Sequence, residues 1–300
     1  MAKRMLQQIL VPLDGSREAE SVLPYLRDLA PRFNSRVYLL GVGIGSKTRR
    51  LNRLLEDYIS RTVLSLRGDN IKAEPVVLYG IAADKILDFV VQKEVDLIIM
   101  ATHGRSGITR WWMGSVAEKV ISETPAAVLL VHSRRHKKTE TAGKLQFLNR
   151  ILAPLDGSDI GQAALPYIET LATEARALVS LLQIVSPSGT VEASLLGGPD
   201  WRRFVKAMRD AGEDYLKGVA EKFNKKGIKA EYEVVSGDPA DKIVKYAEDN
   251  KVSLIAMSTH GRTGLARWVL GSVADKVLHG ATMPILLVRS PKMIVPRPKV

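Results

Sequence analysis

The chain contains no cysteine. Disulfides and thiolate metal sites are thereby excluded, and a reducing compartment suits it. It has no apolar run of the roughly 18 residues that a membrane-spanning helix needs. The segment from Met1 to Gln8 lacks the apolar core of a signal peptide, so a cytoplasmic protein is expected, with no membrane partner. Aromatic residues make up only 6% of the chain, and no recognised nucleic-acid module accompanies its net charge of +12. The basic excess, concentrated in Arg134–Lys138, Lys222–Lys226 and Lys292–Lys299, is read as solvated surface and not as a nucleic-acid footprint. An anionic small ligand is served equally well by such a field. No Gly-Lys-Ser/Thr sequence stands in the glycine-bearing loops, and no carboxylate pair is spaced to hold Mg²⁺. The five histidines, His103, His132, His136, His260 and His279, form no metal-spaced set.

What the chain does have is itself, twice. At 300 residues, 46% hydrophobic and 25% charged, it is long enough for two domains of about 150 residues. Ile9–Ser16 (ILVPLDGS) returns as Ile151–Ser158 (ILAPLDGS), an offset of 142. Ala101–Val116 (ATHGRSGITRWWMGSV) returns as Ser258–Val273 (STHGRTGLARWVLGSV), an offset of 157. The second copy is therefore longer, and its additional residues, Pro187–Pro199, are expected between its second strand and second helix. They read either as a lid over the strand ends or as a tolerated surface loop. The charged and polar stretch from Ser133 to Gly143 reads as a linker, giving domains at 1–135 and 146–292.

In the first copy, Gln8 to Leu13 is a short strand closed by Pro12. A helix follows the Asp14-Gly-Ser16 turn, capped by Ser16 or Asp14, with Glu18 and Glu20 in its first turn and an apolar stripe of Leu23, Leu26, Leu29 and Ala30. Arg36–Val42 is the second strand, and Leu51–Leu66 is a helix of clear 3.6 period. Ala73–Leu78 is a third strand, which Pro75 assigns to an edge. A helix at Ala82–Gln92 precedes the strand Val95–Met100, which has no polar face after Asp96 and is expected to be central and covered on both faces. Val116–Ser122 and Ala127–Val131 complete the copy as helix and strand. The alternation predicts an α/β fold: two tandem doubly wound domains, each a five-stranded parallel sheet flanked by helices.

Ligands of such sheets bind beyond the carboxyl ends of the strands, where the strand order reverses. Asp14, Val42 and the loop from Ala101 to Ser115 are the candidates to meet there. Asp14 serves either as a helix cap or as an acceptor from an adenine amino group or ribose hydroxyl. Backbone at Val42 reads the base edge, and Gly104, Gly114, Ser115 and Val116 offer amides to phosphates at a helix N-terminus. The competing reading of the glycines, including Gly107 and Gly264, is tight turns. Within the loops, His103 and His260 are either a base or a loop-ordering hydrogen-bond partner. Arg105, Arg110, Arg262 and Arg267 are phosphate contacts or solvated surface, and Trp111, Trp112 and Trp268 are read as packing.

The repeated Pro-Leu-Asp-Gly-Ser and Thr-His-Gly-Arg-Ser/Thr-Gly, with Gly-Ser nine residues after the latter's first glycine, resemble a tandem universal stress protein across nearly the whole chain. The ATP-binding branch of that family has Gly, two residues, Gly, nine residues, then Gly-Ser or Gly-Thr. Gly104, Gly114 and Ser115 match it, as do Gly261, Gly271 and Ser272. Ala101 and Ser258 stand where its first glycine would be. The resemblance implies an adenine nucleotide alpha-hydrolase-like fold binding ATP, ADP or AMP, with Mg²⁺ held through the phosphates only. Its nucleotide contacts fall on Pro12, Asp14, Val42, Met100, Ala101, Gly104, Gly114, Ser115 and Val116. In the second copy they fall on Pro154, Asp156, Ile184, Met257, Ser258, Gly261, Gly271, Ser272 and Val273. It implies pairing of the two domains through Val128–Val131 and Ile285–Val288, and it allows a homodimer of whole chains, which no residue fixes. The implied function is a nucleotide-regulated role in the stress response, with no catalytic residue assigned. A weak ATPase or phosphotransferase, and a nucleotide-free interaction module, are the alternatives.

Overall fold

The computed structural model describes residues 5–45, 49–102, 113–132, 147–186, 199–261 and 270–293. The chain divides into two compact units, the second running from Phe147 to Lys292. In the first unit the described elements are β1 (Gln8–Pro12), α1 (Arg17–Glu20), α2 (Leu23–Phe33), β2 (Arg36–Gly43) and α3 (Arg49–Gly68), then β3 (Lys72–Tyr79), α4 (Ala82–Gln92), β4 (Leu97–Ala101), α5 (Ser115–Glu123) and β5 (Ala127–Val131). The second unit repeats them as β6 (Arg150–Pro154), α6 (Leu165–Ala175), β7 (Leu178–Val185), α7 (Pro199–Lys225), β8 (Ala230–Ser236), α8 (Pro239–Asp249), β9 (Leu254–Ser258), α9 (Ser272–Gly280) and β10 (Ile285–Val288).

Within each unit the strands are parallel and the order is the same, β3-β2-β1-β4-β5 and β8-β7-β6-β9-β10. This is the expected α/β architecture. β3 stands at an edge, its Pro75 opposite Leu39 in the register, where its missing N–H is tolerated. β4 is buried along its whole length, as is β9, because a strand with helices on both faces has no side open to solvent. No helix among the described residues is long and apolar enough to cross a membrane.

One expectation needs correction. The helix read from Ser16 onward is two pieces, α1 and α2. Pro24, in the first turn of α2, has no N–H for the carbonyl four residues back and its ring crowds that carbonyl. The second unit breaks at the matching place: a 3₁₀ turn at Gly161–Ala164 gives way to α6, which carries Pro166 in its first turn. α7 has 27 residues against 20 in α3 and begins at Pro199, the last residue of the inserted stretch. The linker and most of the inserted stretch lie outside the described residues.

The units solve one packing problem in opposite ways. Gly41 on β2 faces Leu55 and Ile59 of α3, whose carbons would stand 3.0 Å from a Cβ added there. At the corresponding place in the second unit the strand carries Gln183 and the helix carries Gly212, where an added Cβ would meet Gln183 Oε1 at 3.1 Å. Large and small have changed sides, and the buried Gln183 Oε1 has no hydrogen-bond partner among the described residues. Gly212→Leu alone should overpack the second unit by about 1–3 kcal/mol. Combined with Gln183→Gly, it should cost at least about 1 kcal/mol less than the two single changes summed. Urea unfolding of the four chains measures this, and additive costs would show the positions to be uncoupled.

Candidate functional site

The strand order reverses between β1 and β4, because the chain leaves β1 towards β2 on one side and returns to β4 on the other. A crevice must open beyond their carboxyl ends. It holds a cleft of about 240 Å³ in the first unit and about 300 Å³ in the second, the first just below and the second at the lower end of the range for ligand pockets, which starts at about 300 Å³.

Pro12 and Asp14 from the end of β1, Val42 from β2, Met100 and Ala101 from β4, and Gly114, Ser115 and Val116 at the start of α5 all line the first cleft. Pro154, Asp156, Ile184, Met257, Ser258, Gly261, Gly271, Ser272 and Val273 line the second. Of the residues singled out from the sequence as nucleotide contacts, Gly104 alone lies outside the described residues. The loop residues His103, Arg105, Gly107, Arg110, Trp111, Trp112, Arg262, Gly264, Arg267 and Trp268 lie outside them as well. Sequence reasoning missed the first turn of the helix after the third strand, Ala82 and Ile86 in one unit and Pro239 and Ile243 in the other, which forms an apolar wall. It also missed Ala19, matched by Gly161.

The Asp-Gly-Ser turn is built identically twice. Gly15 and Gly157 have φ of 82° and 81°, the left-handed region that glycine enters without penalty. The turn folds the serine back, so that the Ser16 amide and hydroxyl donate to Asp14 Oδ1 at 2.9 and 2.6 Å. Ser158 does the same to Asp156 Oδ1 at 2.9 and 2.7 Å. Ser16 Oγ in turn accepts from the Ala19 amide at 3.1 Å, capping α1. The serine therefore caps the helix, and the aspartate orients the serine. Asp156 is hemmed in by two glycines, Gly161 and Gly261: a Cβ on Gly261 would stand 2.5 Å from Asp156 Oδ2. Packing against that carboxylate is reason enough for a glycine at 261.

Among the described residues nothing gives Gly114 such a reason. It is the N-cap of α5, with φ −63° and ψ 143°, angles that any residue adopts. Among the described residues a Cβ there would have a single neighbour, the Thr102 carbonyl oxygen at 3.6 Å. Its amide donates to that carbonyl at 2.9 Å, which sets the entry angle of the helix. Gly271 has the same angles and the same bond to Thr259, but an added Cβ would meet the Thr259 carbonyl oxygen at 3.0 Å. Neither helix has a side-chain N-cap. The first-turn amides, beginning with Ser115 and Ser272, thus keep the partial positive charge of an uncapped helix start at the wall of a cleft.

Ala101 and Ser258 are both buried at the end of the central strand, and Ser258 Oγ is 3.4 Å from the His260 amide that donates to it. His260 Nδ1 lies 3.0 Å from Thr259 Oγ1, a contact of the loop-ordering kind. Among the described residues no group of three or more histidines or carboxylates is disposed to hold a metal.

The universal stress protein family model matches residues 45–132 and 148–289. The universal stress protein MJ0531 of Methanocaldococcus jannaschii is 36% identical over 143 residues, covering 48% of this chain and 83% of that one. Slr1230 of Synechocystis, also a universal stress protein, is 23% identical over 319 residues, covering 95% of this chain and the whole of that one. The crystal structure of a universal stress protein from Archaeoglobus fulgidus covers 95% of this chain and 98% of its own, with 18% identity and a TM-score of 0.71, a likeness of fold. With matches in both units that together span well over half of its residues, the chain belongs to the universal stress protein family.

Proposed function

We propose that each cleft is an adenine-nucleotide site, with ATP, or ADP or AMP, as a regulatory ligand that is bound and not turned over, in a cytoplasmic protein of the stress response. The observation that carries this reading is Gly114. Neither its backbone angles nor its neighbours among the described residues call for glycine, and it opens an uncapped helix at the switch point, where an anion is favoured. A phosphate approaching those amides is what a side chain would obstruct. The phosphates then lie against Gly114, Ser115 and Val116 in one unit and against Gly271, Ser272 and Val273 in the other. Asp14 and Asp156 accept from the adenine amino group or a ribose hydroxyl, and backbone at Val42 and Ile184 reads the base edge. The apolar wall of Ile86 or Ile243 suits the face of a planar base. Mg²⁺, where present, is held by the phosphates.

Gly114→Asp tests the reading in the unit where a Cβ at this position meets no described residue closer than 3.6 Å. It sets a carboxylate where a phosphate should sit, and the loss expected is roughly 30- to 1,000-fold in ATP affinity at that site, about 2–4 kcal/mol. Calorimetric titration measures it, with circular dichroism to confirm folding. A folded variant that binds ATP as tightly as wild type would show that the phosphate lies elsewhere.

We further propose that the two units associate through their fifth strands. Within its own unit, each of β5 and β10 ends the sheet and is apolar throughout, and an apolar edge left bare invites aggregation. Residues 1–146 and 147–300 expressed separately should each dimerise or precipitate. Sedimentation equilibrium decides this, and two soluble, monodisperse monomers would overturn it.

A further inference from the structure

The offsets of 142 and 157 pair each residue of one cleft lining with a residue of the other. Among the described residues that line either cleft, the two copies differ at four positions. Three of them, Ala19, Val42 and Ala82 against Gly161, Ile184 and Pro239, exchange side chains that differ only in hydrocarbon. The fourth is Ala101 against Ser258, the last residues of β4 and β9. Both carry a Cβ, so this pair isolates one group, a hydroxyl that the second cleft has and the first lacks.

Ser258 lines the cleft although it is only 5% exposed. The one hydrogen bond of its side chain among the described residues is received from the His260 amide, and at 3.4 Å that bond is long. Oγ is the acceptor in it, so the O–H proton is still to be given. The next residue, Thr259, accepts the Gly271 amide at 2.9 Å. Ser258 therefore stands beside the start of α9, whose Ser272 and Val273 line the same cleft.

A buried hydroxyl that gives its proton to nothing costs stability, and Ala101 shows that the same strand end closes without one. The occupied state supplies a use for it. A phosphate at the start of α9 takes that proton, and a hydrogen bond to an ionised acceptor is stronger than one between neutral groups. We propose that the Ser258 hydroxyl donates to a phosphate oxygen of the nucleotide in the second cleft, and that the clefts are unequal for this reason, the second filling before the first. This rests on the reading of the clefts as adenine-nucleotide sites. Between the two affinities lies a range of ATP concentration over which the chain carries one nucleotide, in the unit that bears Ser258.

ATP titrated calorimetrically into the full chain tests it. Wild type should show two sites on the order of tenfold apart, of which Gly114→Asp removes the weaker. Ser258→Ala should weaken the tighter site by about tenfold and bring the two together. Ala101→Ser should give the first cleft the missing donor and tighten the weaker site. Circular dichroism checks the folding of each variant. Two equal sites in wild type, a tighter site that Gly114→Asp removes, or a gap that a folded Ser258→Ala chain retains would overturn the proposal and leave the nucleotide reading intact. Where Ser258→Ala fails to fold, Ala101→Ser decides, and a weaker site that it leaves unchanged overturns the proposal. A wild-type chain that takes up no ATP would overturn the nucleotide reading, and this proposal with it.

Discussion

Both clefts depend on two strands that are neighbours in space without being neighbours in the chain. β1 and β4 are held in register by backbone bonds that pair Ile9 with Leu97 and Leu10 with Ile98. Their amino ends are pinned by a side chain: Asp96 Oδ2 accepts from the amides of Gln7 and Gln8, both at 3.0 Å. In the second unit Ser253 does this work, its hydroxyl accepting from the Arg150 amide at 3.0 Å and donating to the Arg150 carbonyl at 2.9 Å. A slip of one residue there would turn every buried side chain of the strand to the other face. It would also carry the Asp-Gly-Ser turn away from the helix start that it faces across the crevice.

From this pinning the rest follows in sequence. The turn at Gly15 fixes the aspartate, the aspartate fixes the serine, and the serine starts α1. On the far wall, the bond from the Gly114 amide to the Thr102 carbonyl aims α5. The floor is apolar and the two walls end in polar backbone, an arrangement suited to a ligand with a flat apolar part and an anionic tail. Surface ion pairs join the helices that wall each cleft, Lys119 of α5 with Asp84 of α4 at 2.7 Å and Lys276 of α9 with Asp238, the N-cap of α8, at 3.7 Å. Pairs as exposed as these contribute little to stability.

The repeat made much of this legible before any coordinates. A strand whose residues after Asp96 are all apolar is central, a strand interrupted by Pro75 is an edge, and both inferences follow from where a backbone N–H is needed. The candidate residues were legible because two copies agreed on them. What stayed hidden depends on distance between elements. Periodicity locates α4 but cannot say that its first turn, Ala82 and Ile86, leans over the crevice. The division of the first helix was signalled by Pro24 and Pro166 and could have been read from them. Gly261 and Gly114 look alike in the sequence, yet one is required by the Asp156 carboxylate and the other is not.

The exchange of sizes at Gly41 and Leu55 against Gln183 and Gly212 bears on how a duplicated chain folds. A tandem repeat risks docking a helix from one copy on the sheet of the other, since both present the same period and the same fold. Here the mismatch is built in: α3 on the second sheet would drive Leu55 into Gln183, and α7 on the first would leave Gly212 over Gly41 with a void between them. One mistaken pairing is too full and the other too empty, so each helix recognises its own sheet by volume alone.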